Sequence, residues 1–179
     1  MATDNIFSGL WARRVLNHFN GTTTLAAPGQ LYVALLFGFG SNTAGLPDLD
    51  DNTGANTLTA FQVQGTGSGG YATGTTVLPS VNFGSVTTGT VTGANPTTNK
   101  QEMSNTNAVS FNIGGLGGGG SANVRGIAIV NSNTIVGSYD TSFAGNGSVI
   151  WFGDVASPIN VSNGNTLTFA IGQITIRLG

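Results

Sequence analysis

Ile159-Asn-Val-Ser-Asn-Gly-Asn-Thr-Leu-Thr-Phe169 is the stretch on which the reading of this chain turns. Ile159 and Val161 alternate with polar residues on one side, and Leu167 and Phe169 do so on the other. Alternation at period two is the mark of a half-buried strand. Asn163-Gly164 between them accepts the positive φ values of a type I′ turn, so the segment predicts an antiparallel hairpin. Working outward, Ile171, Ile174, Ile176 and Leu178 alternate with a phase change near Gly172, which predicts a strand with a bulge. Gly147-Ser-Val-Ile-Trp-Phe152, Thr134 to Tyr139, and Val124 to Val130 with its Ile127-Ala-Ile-Val130 core read as further strands. Ala108-Val-Ser-Phe-Asn-Ile113 alternates, while Leu31-Tyr-Val-Ala-Leu-Leu-Phe37 is apolar throughout, as a strand buried on both faces is. Thr57 to Gln64, Tyr71 to Val77 and Val81 to Val91 are β-prone, and Gly38 to Asn56, Gly93 to Glu102 and Gly114 to Ser121 read as loops. Many short strands separated by turn signals predict an all-β antiparallel sandwich or barrel.

One segment breaks the pattern. Ile6, Phe7, Leu10, Trp11, Val15 and Phe19 recur at spacings of three and four, predicting a short N-terminal α-helix with one apolar stripe. Thr3 or Asp4 is placed to cap its start, and Asn20-Gly21 to stop it. Such a helix needs burial from elsewhere. Packing on the chain's own sandwich is the preferred expectation. Docking on a partner is the alternative, with Phe7, Leu10 and Trp11 as its candidate contacts. The length suits a single domain over 1–179, with helix and link over 1–27 and the sandwich over 28–179.

Composition narrows the function. Only 7% of the 179 residues are charged, against roughly 25% in an ordinary domain. Gly (29), Thr (24), Asn (19) and Ser (14) make up nearly half the chain, yet 39% is hydrophobic, enough for a core. Five Lys plus Arg residues at a net charge of −2 make no basic footprint, so no nucleic-acid partner is expected. No apolar run reaches the ~20 residues of a membrane helix, and no signal-peptide core is seen, so neither a membrane partner nor secretion is expected. The absence of Cys removes disulfides and thiolate chemistry, and a single His, His18, removes multi-histidine metal sites.

The remaining motifs are weak. Gly65-x-Gly67-x-x-Gly70 has the text of a dinucleotide fingerprint, but a strand-like segment follows where a helix is required. Asp48-Leu-Asp-Asp-Asn52 gathers oxygens without the spacing of a known cation loop, and reads as a solvated acidic loop. Asn20-Gly-Thr22, Asn146-Gly-Ser148 and Asn160-Val-Ser162 match the glycosylation sequon but read as polar turns. Glu102, Asp140 and Asp154 stand alone, and no nucleophile elbow surrounds any Ser. No catalytic residue, cofactor or metal is therefore expected, and the chain is read as non-enzymatic.

The order of segments resembles a group of small tailed-bacteriophage structural proteins, described as head decoration (cement) or tail-fibre-like proteins. The resemblance rests on the N-terminal helix, Ile6 to Phe19, a Thr/Pro link, Thr22 to Pro28, and Leu31-Tyr-Val-Ala-Leu-Leu36. It continues through Gly69-Gly-Tyr-Ala72, Ser104-Asn-Thr-Asn-Ala-Val-Ser-Phe111, Val124-Arg-Gly-Ile-Ala-Ile129 and Trp151-Phe-Gly-Asp-Val155. It ends with Val161 to Leu178, where Asn165 stands in place of the group's usual Asp. The loops Gly38 to Asn56 and Gly84 to Glu102 are longer than in the group. The resemblance implies a jelly-roll-like antiparallel β-sandwich, with no catalytic residues, on the outer surface of a capsid. The expected partners are the major capsid protein and further copies of the chain, made in the host cytoplasm. A tail-fibre or baseplate component is the alternative, as is a glycan-binding virion surface module. For the last, Trp151, Tyr139 and Tyr71 are the stacking candidates, and core packing is the competing role of Trp151.

Overall fold

A computed structural model of the chain describes residues 5–7, 9–22, 24, 27, 29–36, 78–89, 100–116, 120–131 and 149–178. Strands take up 59% of these, which places the chain far above the 20–25% of a typical domain and in the all-β class. The elements are β1 (Asn5–Phe7), α1 (Gly9–Phe19), β2 (Leu31–Leu36), β3 (Ser80–Val81), β4 (Thr87–Gly89), β5 (Lys100–Ser104), β6 (Val109–Asn112), β7 (Ser121–Val130), β8 (Val149–Ser162), β9 (Thr166–Phe169) and β10 (Thr175–Leu178). They form a five-stranded sheet ordered β1-β8-β7-β2-β3, a three-stranded sheet β10-β5-β4 and a two-stranded sheet β6-β9. Every pairing is antiparallel.

The apolar run predicted as a doubly buried strand is β2. It lies inside the large sheet between β7 and β3, and Val33, Ala34, Leu35 and Leu36 are wholly buried. Each such Val or Leu contributes about 1.5–3 kcal/mol by leaving water. Around them gather Leu78, Val81, Ile129, Trp151, Phe152 and Ile174, each at most 2% exposed. The alternating segment Ala108 to Ile113 holds β6, with Val109 and Phe111 inward and Ser110 and Asn112 outward.

Three expectations change. The helix begins later, because Ile6 and Phe7 belong to β1, with Ile6 opposite Phe152 and Phe7 opposite Trp151. A first helical turn leaves its N–H groups to solvent, whereas the edge of β8 supplies backbone partners. Lys100–Ser104, mostly within the expected Gly93 to Glu102 loop, is β5, the middle strand of its sheet. Its polar sequence hides it; cross-strand pairing of Glu102 with Arg177 on β10 defines it. The phase change at Gly172 is a turn before β10, with φ +81° at Gly172, not a bulge within a strand.

The opening stretch gives the fourth correction. A turn forms at Asn163-Gly164, closed by Asn165 N donating to Ser162 O at 3.0 Å. Gly164 has φ +85°, but Asn163 does not share a positive φ, as no described non-glycine residue does, so this is the type II pattern and not type I′. The strands it joins do not pair: β8 lies on β7, and β9 lies on β6. The turn therefore carries the chain from one sheet to another.

Candidate functional site

β8 is the longest strand among the described residues, and its neighbours divide it. β1 covers Trp151 to Gly153 on one edge, and β7 runs along the other. Between the pairs Val124↔Ile159 and Gly126↔Asp154, β7 has Arg125 alone while β8 has Val155, Ala156, Ser157 and Pro158. The extra residues bulge, and Ala156, Ser157 and Pro158 are exposed. Proline is tolerated there because a bulge requires no ladder N–H.

A groove of about 630 Å³ opens beside this bulge. Buried Trp151, Phe169 and Ile174 and half-buried Ile159 line it, together with the charged side chains of Asp154 and Arg177. The polar groups here bond mainly to the scaffold. Arg177 Nε donates to Glu102 Oε2 at 2.9 Å, Gln173 Oε1 accepts from Ala170 N at 2.7 Å, and Thr175 Oγ1 meets Ser104 Oγ at 3.0 Å. The groove is amphipathic, with apolar side chains at its base and polar ones at its rim. Among the described residues, no group of three or more His, Asp or Glu gathers as a metal site does.

Asparagine side chains tie the strands together at their ends. Asn105, the only buried polar residue among those described, donates from Nδ2 to Asn107 O and Ala170 O at 2.7 and 3.0 Å. Its Oδ1 accepts from Ile174 N at 2.9 Å. Asn107 Oδ1 accepts from Asn82 N at 2.6 Å, and its Nδ2 donates to Ser80 O at 3.1 Å. Asn163 Oδ1 accepts from Leu116 N at 2.8 Å, and its Nδ2 donates to Leu116 O at 3.3 Å, as a neighbouring strand would. Asn165, the position where the resembling group has Asp, accepts from Ser162 N at 2.9 Å and so keeps the turn-closing acceptor.

The N-terminal arm holds the docking candidates. Trp11 is 5% exposed and belongs to this chain's own core. Phe7 stands on β1 opposite Trp151 and Leu10 in the first turn of α1, and their side chains lie outside the described residues. Phe19, expected on the buried stripe, is 80% exposed, and Leu16 is 66% exposed. The solvent-facing apolar pair on α1 is thus Leu16 and Phe19, three residues apart on one helix face; Phe19 leaves the stripe expected for it, and Leu16 is not part of that stripe.

His18 is exposed, with its ring 6.3 Å from that of Phe19. Trp151 is 2% exposed, which gives it the core role and not that of a stacking platform. Asn20 accepts from Thr22 N at 3.0 Å in the turn after α1, and Asn160 donates to Asn123 across β7 and β8 at 3.2 Å. Tyr71, Tyr139, Asp140, the Gly65 to Gly70 motif, the Asp48 to Asn52 cluster and Asn146 lie outside the described residues. In comparison with known proteins, the chain matches no family model and no curated protein.

Proposed function

We propose that this chain is a virion structural protein of a tailed bacteriophage, a capsid cement or decoration protein that binds the lattice of the major capsid protein. Its strands then make up a jelly-roll-like sandwich. The observation that carries the reading is the placement of the resembling segments. Leu31 to Leu36 is β2, buried from Val33 to Leu36, Ser104 to Phe111 holds the Asn105 clasp and most of β6, and Val124 to Ile129 is the middle of β7. They are scaffold, which supports a protein whose work is to present a shaped surface.

The chemistry of that surface suits assembly. Many of the described side chains bond through amides and hydroxyls, as Ser110 does with Thr168 and Asn160 with Asn123. These groups fit a neighbour's backbone without the desolvation cost of charges. Cementing follows by linkage: a protein that binds the assembled shell better than free subunits stabilises the shell, and many copies add avidity. The test is binding of the purified chain to expanded shells that lack it, with copies counted per particle. Hundreds of copies on the outer surface support the reading. A handful of copies places the chain in the tail, and no binding overturns the proposal.

A further inference from the structure

The groove beside the β8 bulge runs along strand edges. Three consecutive residues of β9, Leu167, Thr168 and Phe169, line it, although their side chains alternate in direction. A groove that touches successive residues of a strand lies along its edge. The hydrogen bonds already in place tell which backbone groups face that edge. In an antiparallel strand the N–H and C=O of one residue point to the same side, and those of the next point to the other. Ile113 N donates to Asn165 O at 2.8 Å, so Asn165, Leu167 and Phe169 face β6, and Thr168 faces away. Asn105 N donates to Ile174 O at 3.0 Å, so Ile174 and Ile176 face β5, and Thr175 and Arg177 face away. Thr168, Thr175 and Arg177 all line the groove, and no strand among the described residues pairs with them on that side.

The opposite wall is the part of β8 that its ladder leaves out. Val155, Ala156 and Ser157 lie in the bulge, off the pairing with β7. Just before them β8 already carries a strand on its other edge, since β1 lies antiparallel on Trp151 to Gly153. Asp154, the next residue, is the first of four consecutive β8 residues that line the groove. The groove thus continues the line of a strand addition that the fold itself makes. Trp151 forms part of the base, and its buried indole N–H has no hydrogen-bond partner among the described residues. Buried donors are ordinarily paired, so a carbonyl brought there completes what the scaffold leaves open. We propose that the groove takes up an extended segment of a partner polypeptide, which adds as a strand to the β9–β10 edge. An extended backbone presents donors and acceptors at the two-residue spacing of Thr175 and Arg177. Every second side chain of it meets the apolar base of Leu167, Phe169 and Ile174. The partner need not belong to a shell, so this docking stands independently of the cement reading.

The probe is a library of capped hexapeptides with apolar residues at alternate positions, selected against the purified full chain. Selected peptides are expected to slow amide hydrogen exchange severalfold at Thr168, Thr175 and Arg177, read residue by residue by NMR. Methylating a backbone nitrogen on the paired side of a selected peptide is expected to weaken its binding about tenfold, the worth of a good hydrogen bond. Ser157→Trp fills the groove from an exposed position outside the ladder, and is expected to weaken binding by a similar factor. The proposal is overturned if no peptide is selected, if peptides bind without protecting these amides, or if Ser157→Trp binds them unchanged. Protection of the three amides in the free chain overturns it as well. Protection that holds at every dilution assigns the edge to this chain's own residues, and protection that rises with concentration assigns it to a second copy.

Discussion

Asn105 shows how an almost uncharged chain fixes its strand ends. One buried amide satisfies two carbonyls and one N–H on segments up to 69 residues apart in sequence. Asn105→Ala leaves Ala170 O, Asn107 O and Ile174 N without these partners, at about 1–3 kcal/mol for a buried unsatisfied group. The expected loss is about 2–4 kcal/mol, read as a lower urea midpoint with unchanged slope. The ion pair between Arg177 and Glu102 makes the contrast. Arg177 and Glu102 have side chains 36% and 28% exposed, so water screens them, and Glu102→Gln is expected to change stability by less than about 1 kcal/mol. Gly164 supplies a backbone case. A Cβ there meets nothing within 4 Å, so the cost of Gly164→Ala is that of φ +85° alone, about 1–2 kcal/mol by thermal or urea unfolding.

Among the elements, legibility followed apolar patterning. β2 and β6 are visible in the sequence because their side chains face a core on both sides or on alternate sides. β5 is invisible because Lys-Gln-Glu-Met-Ser has little to bury, and its place is set by backbone pairing with β4 and β10. The N-terminal arm lies between these cases. Helical spacing is present from Ile6, yet the edge of β8 draws Asn5 to Phe7 into a strand and the helix keeps the rest. The helix faces are also assigned by tertiary contact, with Trp11 inward and Phe19 outward. Trp11→Ala is therefore expected to cost about 3–5 kcal/mol as a core truncation. Leu16→Ser with Phe19→Ser is expected to leave the unfolding midpoint of the dilute monomer within about 0.5 kcal/mol of the parent. Calorimetry on the variants checks both.

For the whole molecule, low charge is a statement about its surface as much as about its composition. Where contacts are made by amides, hydroxyls and backbone, association responds weakly to screening. Self-association and shell binding are expected to change little between about 0.05 M and 0.5 M salt, measured by sedimentation and by pelleting with shells. The β-rich class, the β2, β6 and β7 cores, a helix near the N-terminus and the turn at Asn163-Gly164 were all determined by the sequence, because each rests on local periodicity or on one residue's backbone freedom. Which strands pair, the bulge opposite Arg125, the groove beside it and the part Asn105 plays were decided only by tertiary structure. Antiparallel partners far apart in sequence share no local signal. A strand edge takes whatever backbone reaches it in register, and so a stretch that reads as a hairpin becomes the crossing between two sheets.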